Sequence, residues 1–183
     1  MKRYIYILCS LAALLTATTA FSQQIVDGTG EVKNLTRRQY QPGGCTALLD
    51  AIGGAIHHIA GIHRYARKED IPDHTVFVIT TDGMENASHR YSADRVKEMI
   101  RHETEKYGWE FLFIGANIDA VETARTYGIA EDRTSDYLCD EAGIQKNFET
   151  LSKSVKSFRV RGKIEADWAA PIKEDYKKRK GGN

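Results

Sequence analysis

The sequence predicts an α/β fold: a three-layer, Rossmann-like domain in which a mainly parallel β-sheet carries helices on both faces. The first observation is the apolar run 76–79, in which three of four residues are β-branched, as expected of a strand covered on both faces. The second is an amphipathic helical pattern over 46–67, with apolar residues three and four positions apart. Strand and helix patterns then alternate along the chain, which favours a parallel sheet.

The elements after the first strand follow the same alternation. A helix is predicted over 93–106, a buried strand over 109–115, and a short helix from Asp119 to Tyr127 that Gly128 ends. A small edge strand is expected over 135–138. A long final helix is predicted over 140–158, and the residues expected to face inward are Ile144, Phe148, Leu151 and Val155.

Two polar residues stand where open α/β sheets bind ligands. Asp82 follows the apolar strand in a Thr-Thr-Asp-Gly turn, and Thr46 follows a glycine pair at the start of the first helix. Ligands of such sheets bind beyond the carboxyl ends of the strands, so both residues are candidates for one site. Each also has a purely structural alternative, since Asp82 can close its turn and Thr46 can cap its helix.

Three segments resemble the von Willebrand factor A (VWA) domain, in particular a bacterial VWA-like group. They are G-C-T-A-L-L-D-A-I-G at 44–53, V-I-T-T-D-G-M-E-N-A-S at 78–88 and Y-G-W-E-F-L-F-I-G-A-N-I-D-A at 107–120. The resemblance covers 32–161. It implies a VWA-type sheet and a metal-ion-dependent adhesion site, in which Thr46 and Asp82 would contact Mg²⁺ or Mn²⁺ through hard oxygen ligands.

The first part of that site is absent from the sequence. The family begins with a strand that ends in D-x-S-x-S, and no such motif occurs in this chain. We therefore expect an N-terminally incomplete domain in which 1–31 is too short for the missing strand and helix, and in which metal binding is weak. Further residues expected to line the cleft are Gly44, Cys45, Gly83, Glu85, Asn117 and Asp119.

The resemblance implies a protein-interaction module that binds a protein partner at the carboxyl end of the sheet. One alternative is a truncated VWA remnant that has lost ligand binding. A less favoured alternative is a metal-dependent hydrolase, but the sequence lacks the D-x-D-x-T, G-x-S-x-G and Walker-type motifs of such enzymes, so no enzyme activity is expected. The formal net charge of +1 gives no support to a nucleic-acid partner.

The amino terminus resembles a secretory signal over 1–22. Lys2 and Arg3 precede an apolar run, and small residues follow, with cleavage expected before Phe21 or Gln23. A signal implies a secreted or periplasmic protein, and the run is too short for a stable membrane span. The alternative is a cytoplasmic protein in which 13–21 is a strand left from a truncated domain.

The remaining expectations concern the cysteines and the carboxyl terminus. Cys45 and Cys139 are expected to be free thiols because they lie in segments placed apart. Residues 162–183 end in a run of lysines and arginine and are expected to form a solvated basic tail.

Overall fold

The computed structural model describes residues 4–10 and 45–181 of the chain. The strands are Tyr4–Ser10 (β1), His74–Thr81 (β2), Glu110–Gly115 (β3) and Thr134–Asp136 (β4). The helices are Leu48–Tyr65 (α1), Ala93–Tyr107 (α2), Ala120–Thr126 (α3), Glu141–Arg161 (α4) and Ala170–Lys180 (α5). Single 3₁₀ turns occupy Lys68–Asp70 and Glu131–Arg133. The four strands form one parallel sheet in the order β1-β2-β3-β4.

Both faces of the sheet are buried, and alternate residues of the two central strands separate the two cores. Phe77 and Ile79 of β2 join a cluster that includes residues of α1, α2 and α3. Val76 and Val78, which point to the opposite face, join a cluster that includes residues of α4 and α5. The expectation of an α/β fold with a parallel sheet between helical layers is therefore confirmed at this level.

The ends of several helices are marked by capping residues that can be recognised in the sequence. Ser92, Asp119 and Asp140 each cap a helix through a side-chain oxygen that accepts a backbone N–H three residues on. Gly108 and Gly162 end α2 and α4 in the left-handed region, at φ 65° and 72°.

Helix α4 agrees with the prediction only in its second half, where Leu151 is buried and Val155 is half-buried. Ile144 and Phe148 are 42% and 55% exposed, whereas Asn147 and Thr150 are buried. At the start of the helix an added Cβ at Gly143 would lie 1.9 Å from the carbonyl oxygen of Leu138, so only glycine fits this close backbone approach.

The expectation of a solvated carboxyl-terminal tail is wrong for its apolar residues and for its conformation, since most of 170–180 is helical. Ile164, Trp168 and Ile172 are buried in the cluster that α4 and α5 form with the sheet. The indole Nε1 of Trp168 donates a hydrogen bond of 2.8 Å to the carbonyl oxygen of Asp132. The basic residues of the last turn of α5 behave as expected, since Lys177, Lys178 and Lys180 are exposed.

Strand β1 lies within 1–22, where the sequence predicts a secretory signal, and within 1–31, which is expected to be too short for the missing strand and helix. Its backbone pairs in parallel with β2 from Tyr4 opposite His74 to Ser10 opposite Thr80. The tyrosine and isoleucine residues of this stretch have high strand propensity, which explains the pairing. The alternative strand over 13–21 lies outside the described residues. Cleavage before Phe21 would remove β1, so the signal peptide and the four-stranded sheet cannot both describe the mature chain.

None of the helices that the structure describes has the length and apolarity needed to cross a membrane.

Candidate functional site at the carboxyl end of the sheet

The turn after β2 is held by its own side chains and by the loop after β3. The hydroxyl of Thr81, which is buried, donates to the carbonyl oxygen of Gly83 at 2.9 Å and accepts from its N–H at 3.3 Å. The Nδ2 of Asn117 donates to the carbonyl oxygen of Asp82 at 3.3 Å. Asn117 adopts φ 57°, a left-handed conformation that asparagine tolerates well. The backbone of Asp82 is therefore fixed from both sides.

The structure brings Thr46 next to this turn. The Thr46 N–H donates to Oδ1 of Asn86 at 2.8 Å, and the Asn86 N–H donates to the carbonyl oxygen of Thr46 at 3.0 Å. A Cβ added to Gly83 would lie 3.3 Å from the Thr46 hydroxyl, so a larger residue at 83 would crowd that hydroxyl. The two segments chosen from the sequence thus meet at one end of the sheet.

Thr46 does not cap α1, which answers the structural alternative raised for it. The N-cap of α1 is Ala47, whose side chain cannot accept a hydrogen bond. Among the described residues, neither the Thr46 hydroxyl nor the Asp82 carboxylate has a hydrogen-bond partner. Within 45–181 both groups therefore keep their hydrogen-bonding capacity.

Glu85 takes over the capping of α1 from the loop after β2. Its carboxylate accepts four hydrogen bonds: from the N–H groups of Leu49, Ala87 and Ser88, and from the Ser88 hydroxyl, at 2.7 to 2.9 Å. Desolvation alone would raise the pKa of Glu85, but these hydrogen bonds together hold it below its usual value. Glu85 is thus a structural anchor, and its oxygens are engaged.

Asp50 forms the reciprocal connection from α1 to the loop. Its carboxylate accepts hydrogen bonds from the N–H groups of His89, Arg90 and Tyr91 at 2.8 to 3.0 Å. Slight desolvation acts to raise the pKa of Asp50, and the three backbone donors outweigh it and lower that pKa. The ring of Tyr91 fills a notch at Gly53, where an added Cβ would lie 2.4 Å from the ring.

The other residues that the sequence places in the cleft differ in their roles in the structure. Asp119 caps α3 by accepting the N–H of Glu122 at 2.8 Å, so its carboxylate has a structural role. Cys45 is exposed and free beside Thr46, and Cys139 is free as predicted. Gly44 lies outside the described residues.

Sequence reasoning missed a tyrosine at this end of the sheet. Tyr137 follows β4, and burial, the Cys139 thiol and the Asp82 carboxylate, in that order, raise its pKa. Its hydroxyl donates to Sγ of Cys139 at 3.8 Å. The edge strand was expected over 135–138, whereas β4 ends at Asp136, so the sequence placed Tyr137 inside the strand and not after it.

The arrangement supplies the right kind of metal ligand but too few of them. Thr46 and Asp82 offer hard oxygens of the kind that Mg²⁺ prefers, whereas Glu85, Asp50 and Asp119 are engaged by backbone N–H groups. No group of three or more His, Cys, Asp or Glu side chains within the described residues could hold a metal ion. Water or a partner's carboxylate would have to supply most of the six positions of a bound Mg²⁺.

The comparisons with known proteins assign no family to this chain. No family model matches it, and no curated protein or solved structure matches it. The residues of the site itself therefore carry the functional proposal.

Proposed function

We propose that the chain is a VWA-like protein-interaction module that binds a protein partner at the carboxyl end of its sheet. The contact surface is centred on Thr46 and Asp82, with Asn117, Cys45 and the exposed Met84 around them. An incomplete metal-ion-dependent adhesion site at its centre binds Mg²⁺ or Mn²⁺ weakly.

The observation that carries the proposal is the contrast between engaged and available polar groups at this end. The carboxylates of Glu85 and Asp50 accept hydrogen bonds from backbone N–H groups and so hold the loop 83–91 against α1. The loop so fixed presents a hydroxyl and a carboxylate without partners among the described residues. Such a preorganised pair lowers the ordering cost of binding.

Met84 adds an apolar contact to the polar pair. Its side chain is 70% exposed although it lies next to Gly83 in the anchored turn. Methionine is a flexible and polarisable side chain that serves well at binding surfaces. A carboxylate or amide of the partner would approach Thr46, and the partner's apolar side chains would cover Met84.

Site-specific photo-crosslinking tests the proposal in the native host. A photoreactive residue replaces Met84, and the matched control replaces Val160, which is 82% exposed. Val160 lies near the opposite end of the sheet, because an added Cβ at neighbouring Gly162 would lie 3.5 Å from His74 Nε2. We expect one discrete crosslinked product from position 84 and none from position 160.

The product must also depend on the polar pair. Asp82→Ala in the same photoreactive chain is expected to reduce its yield several-fold. A product that forms equally from both positions, or that survives Asp82→Ala undiminished, would contradict the proposal and favour a remnant without ligand function.

A further inference from the structure

A cavity of about 190 Å³ lies at the amino end of the sheet, opposite the site at the carboxyl end. Its lining includes Thr75 at the start of β2, Trp109 just before β3, and His63 in the last turn of α1. The carboxyl-terminal part of α2 supplies Glu103. The proposed function makes no use of this cavity.

Glu103 is a buried carboxylate with little compensation. The residue is only 6% exposed. Within the described residues its carboxylate has one hydrogen-bond partner, Nδ1 of His102, at 3.1 Å from Oε1. A buried carboxylate with one partner leaves most of its hydrogen-bonding capacity unused, which is unfavourable in the absence of a cation or further donors.

His63 is the residue of the cavity lining whose buried ring nitrogen, Nε2, lacks a hydrogen-bond partner among the described residues. Burial lowers the pKa of His63, although Glu103 opposes that effect, so the imidazole is uncharged at neutral pH. Protonated at Nδ1, the ring leaves Nε2 as a hydrogen-bond acceptor.

Trp109 is placed beside these groups by the end of α2. The backbone N–H of Trp109 donates to the carbonyl oxygen of Glu103 at 3.2 Å, and Gly108 makes the left-handed turn that permits this bond. The indole ring lies edge-on to His63, with centroids 5.4 Å apart. The cavity thus combines an aromatic wall, a buried carboxylate and an imidazole whose Nε2 has no partner among the described residues.

The charges around the cavity favour a cation. Arg64 and Asp73 line it with opposite charges and are both exposed, which leaves the buried Glu103 as the uncompensated charge. His74 and His102 also line it, and its Asp, Glu and Arg side chains sum to one negative charge. An ammonium group offers three donors to a carboxylate and an imidazole nitrogen and is attracted to an indole face.

We propose that this cavity binds the ammonium group of a primary amine, with Glu103 as its counter-ion and His63 Nε2 as a hydrogen-bond acceptor. A cavity of about 150 Å³ accommodates benzene, so an unbranched amine of about five heavy atoms fits here. The amine comes either from a free small molecule or from a lysine side chain of a partner protein.

Titration followed by NMR tests the proposal on the full chain. Butylamine is the probe, because its ammonium group is charged at pH 7.5 as that of lysine is. Butanol is the uncharged control of the same length. The chain has two tryptophans, so the indole N–H of Trp109 reports on the cavity and that of Trp168 serves as an internal reference.

We expect butylamine to shift the Trp109 signal with a Kd of the order of 1 mM and to leave the Trp168 signal unchanged. Butanol is expected to bind at least about tenfold more weakly because it cannot pair with Glu103. Glu103→Gln should weaken butylamine binding by about the same factor. The matched control is Glu105→Gln, an exposed glutamate of the same helix, which should leave binding unchanged.

A lysine blocked at both its amino and carboxyl groups distinguishes the two sources of the amine. Binding of blocked lysine as tight as that of butylamine assigns the cavity to a lysine of a partner, and markedly weaker binding assigns it to a free amine. Absence of any shift with either probe, or equal binding of butylamine and butanol by the wild-type chain, would overturn the proposal. The butanol comparison needs no variant and holds even where Glu103→Gln fails to fold.

Discussion

Each end of the sheet contains a glutamate that is at least partly buried, and the two carboxylates differ in the number of hydrogen bonds that they accept. Glu85 at the carboxyl end accepts four hydrogen bonds from α1 and its own loop. Glu103 at the amino end is more deeply buried, yet its carboxylate has a single partner among the described residues, the ring of a half-exposed histidine.

The comparison separates carboxylates that build the fold from carboxylates that remain available. A carboxylate surrounded by N–H donors stabilises the folded state and has little left to offer a ligand. A buried carboxylate with one donor contributes little to stability, or reduces it, and gains from a cationic partner. Both residues look alike in the sequence, since each is a glutamate among polar neighbours.

The largest effect on stability is expected from removing β1, which runs from one end of the sheet to the other. Deletion of 1–22 takes β1 from the sheet and exposes the edge of β2, whose residues 75–79 are buried. We expect the melting temperature to fall by roughly 10 °C or more, because several kcal/mol of pairing and burial are lost. Circular dichroism melts of both chains measure this. Equal melting temperatures would instead favour the signal-peptide prediction, as would a mature chain from the native host that begins near Phe21 or Gln23.

The second effect tests the anchor at the carboxyl end. Glu85→Gln replaces a charged acceptor by an amide whose NH₂ group cannot accept from the Leu49 or Ser88 donors. We expect a loss of about 2 kcal/mol in the free energy of unfolding, measured by urea denaturation. The exposed control Glu105→Gln should change it by less than about 0.5 kcal/mol.

The same substitution at the amino end sharpens the comparison. Glu103→Gln removes a buried charge that has one partner, so we expect the stability to change by less than about 0.5 kcal/mol or to rise. A loss as large as that of Glu85→Gln would show that Glu103 is a structural anchor as well, and the contrast between the two ends would fail.

A third, smaller effect is the loss of folding stability at low pH. The folded pKa values of Glu85 and Asp50 lie below their usual values of 4.5 and 3.8. The folded chain therefore binds fewer protons than the unfolded chain, so this stabilisation is fully present above about pH 4.5 and is lost as the pH falls further. Urea denaturation between pH 3 and 7 should show this loss, and Glu85→Gln should flatten it. An unchanged slope in the variant would contradict the assignment.

The smallest effect is expected from metal. We expect Mg²⁺ and Mn²⁺ to bind no more tightly than millimolar, so at such concentrations they stabilise the fold by less than about 1 kcal/mol. Calorimetric titration of the native chain and Asp82→Ala checks this. Micromolar binding that Asp82→Ala abolishes would mean that further ligands complete the site.

The sequence predicted the elements that carry local signals. Helix α2 and strand β3 were predicted within a few residues, because Ser92 and Gly108 mark the ends of that helix and an apolar run marks the strand. Topology also predicted that the segments that contain Thr46 and Asp82 would meet at one end of the sheet. The failure at the carboxyl terminus has a non-local cause, because Ile164, Trp168 and Ile172 pack in a cluster with residues of β2 and β3.

The roles of the site's carboxylates could not be predicted for the same reason. Asp50 accepts all three of its bonds, and Glu85 one of its four, from N–H groups that lie 36 to 41 residues away in the sequence. No local motif encodes such a bond. Glu85 was expected to line the cleft, although its oxygens bind its own loop and the first turn of α1.

The distant cap of α1 also has a consequence for the order of folding. The N–H groups of Leu49 and Asp50 find their acceptors on Glu85 and Ser88, so they stay unpaired until β2 and the loop after it have formed. The chain between α1 and the loop after β2 must close, with a loss of entropy, before these hydrogen bonds can form, and this slows their formation. The first turn of α1 should therefore consolidate late, and its amides should exchange hydrogen before those in the middle of the helix.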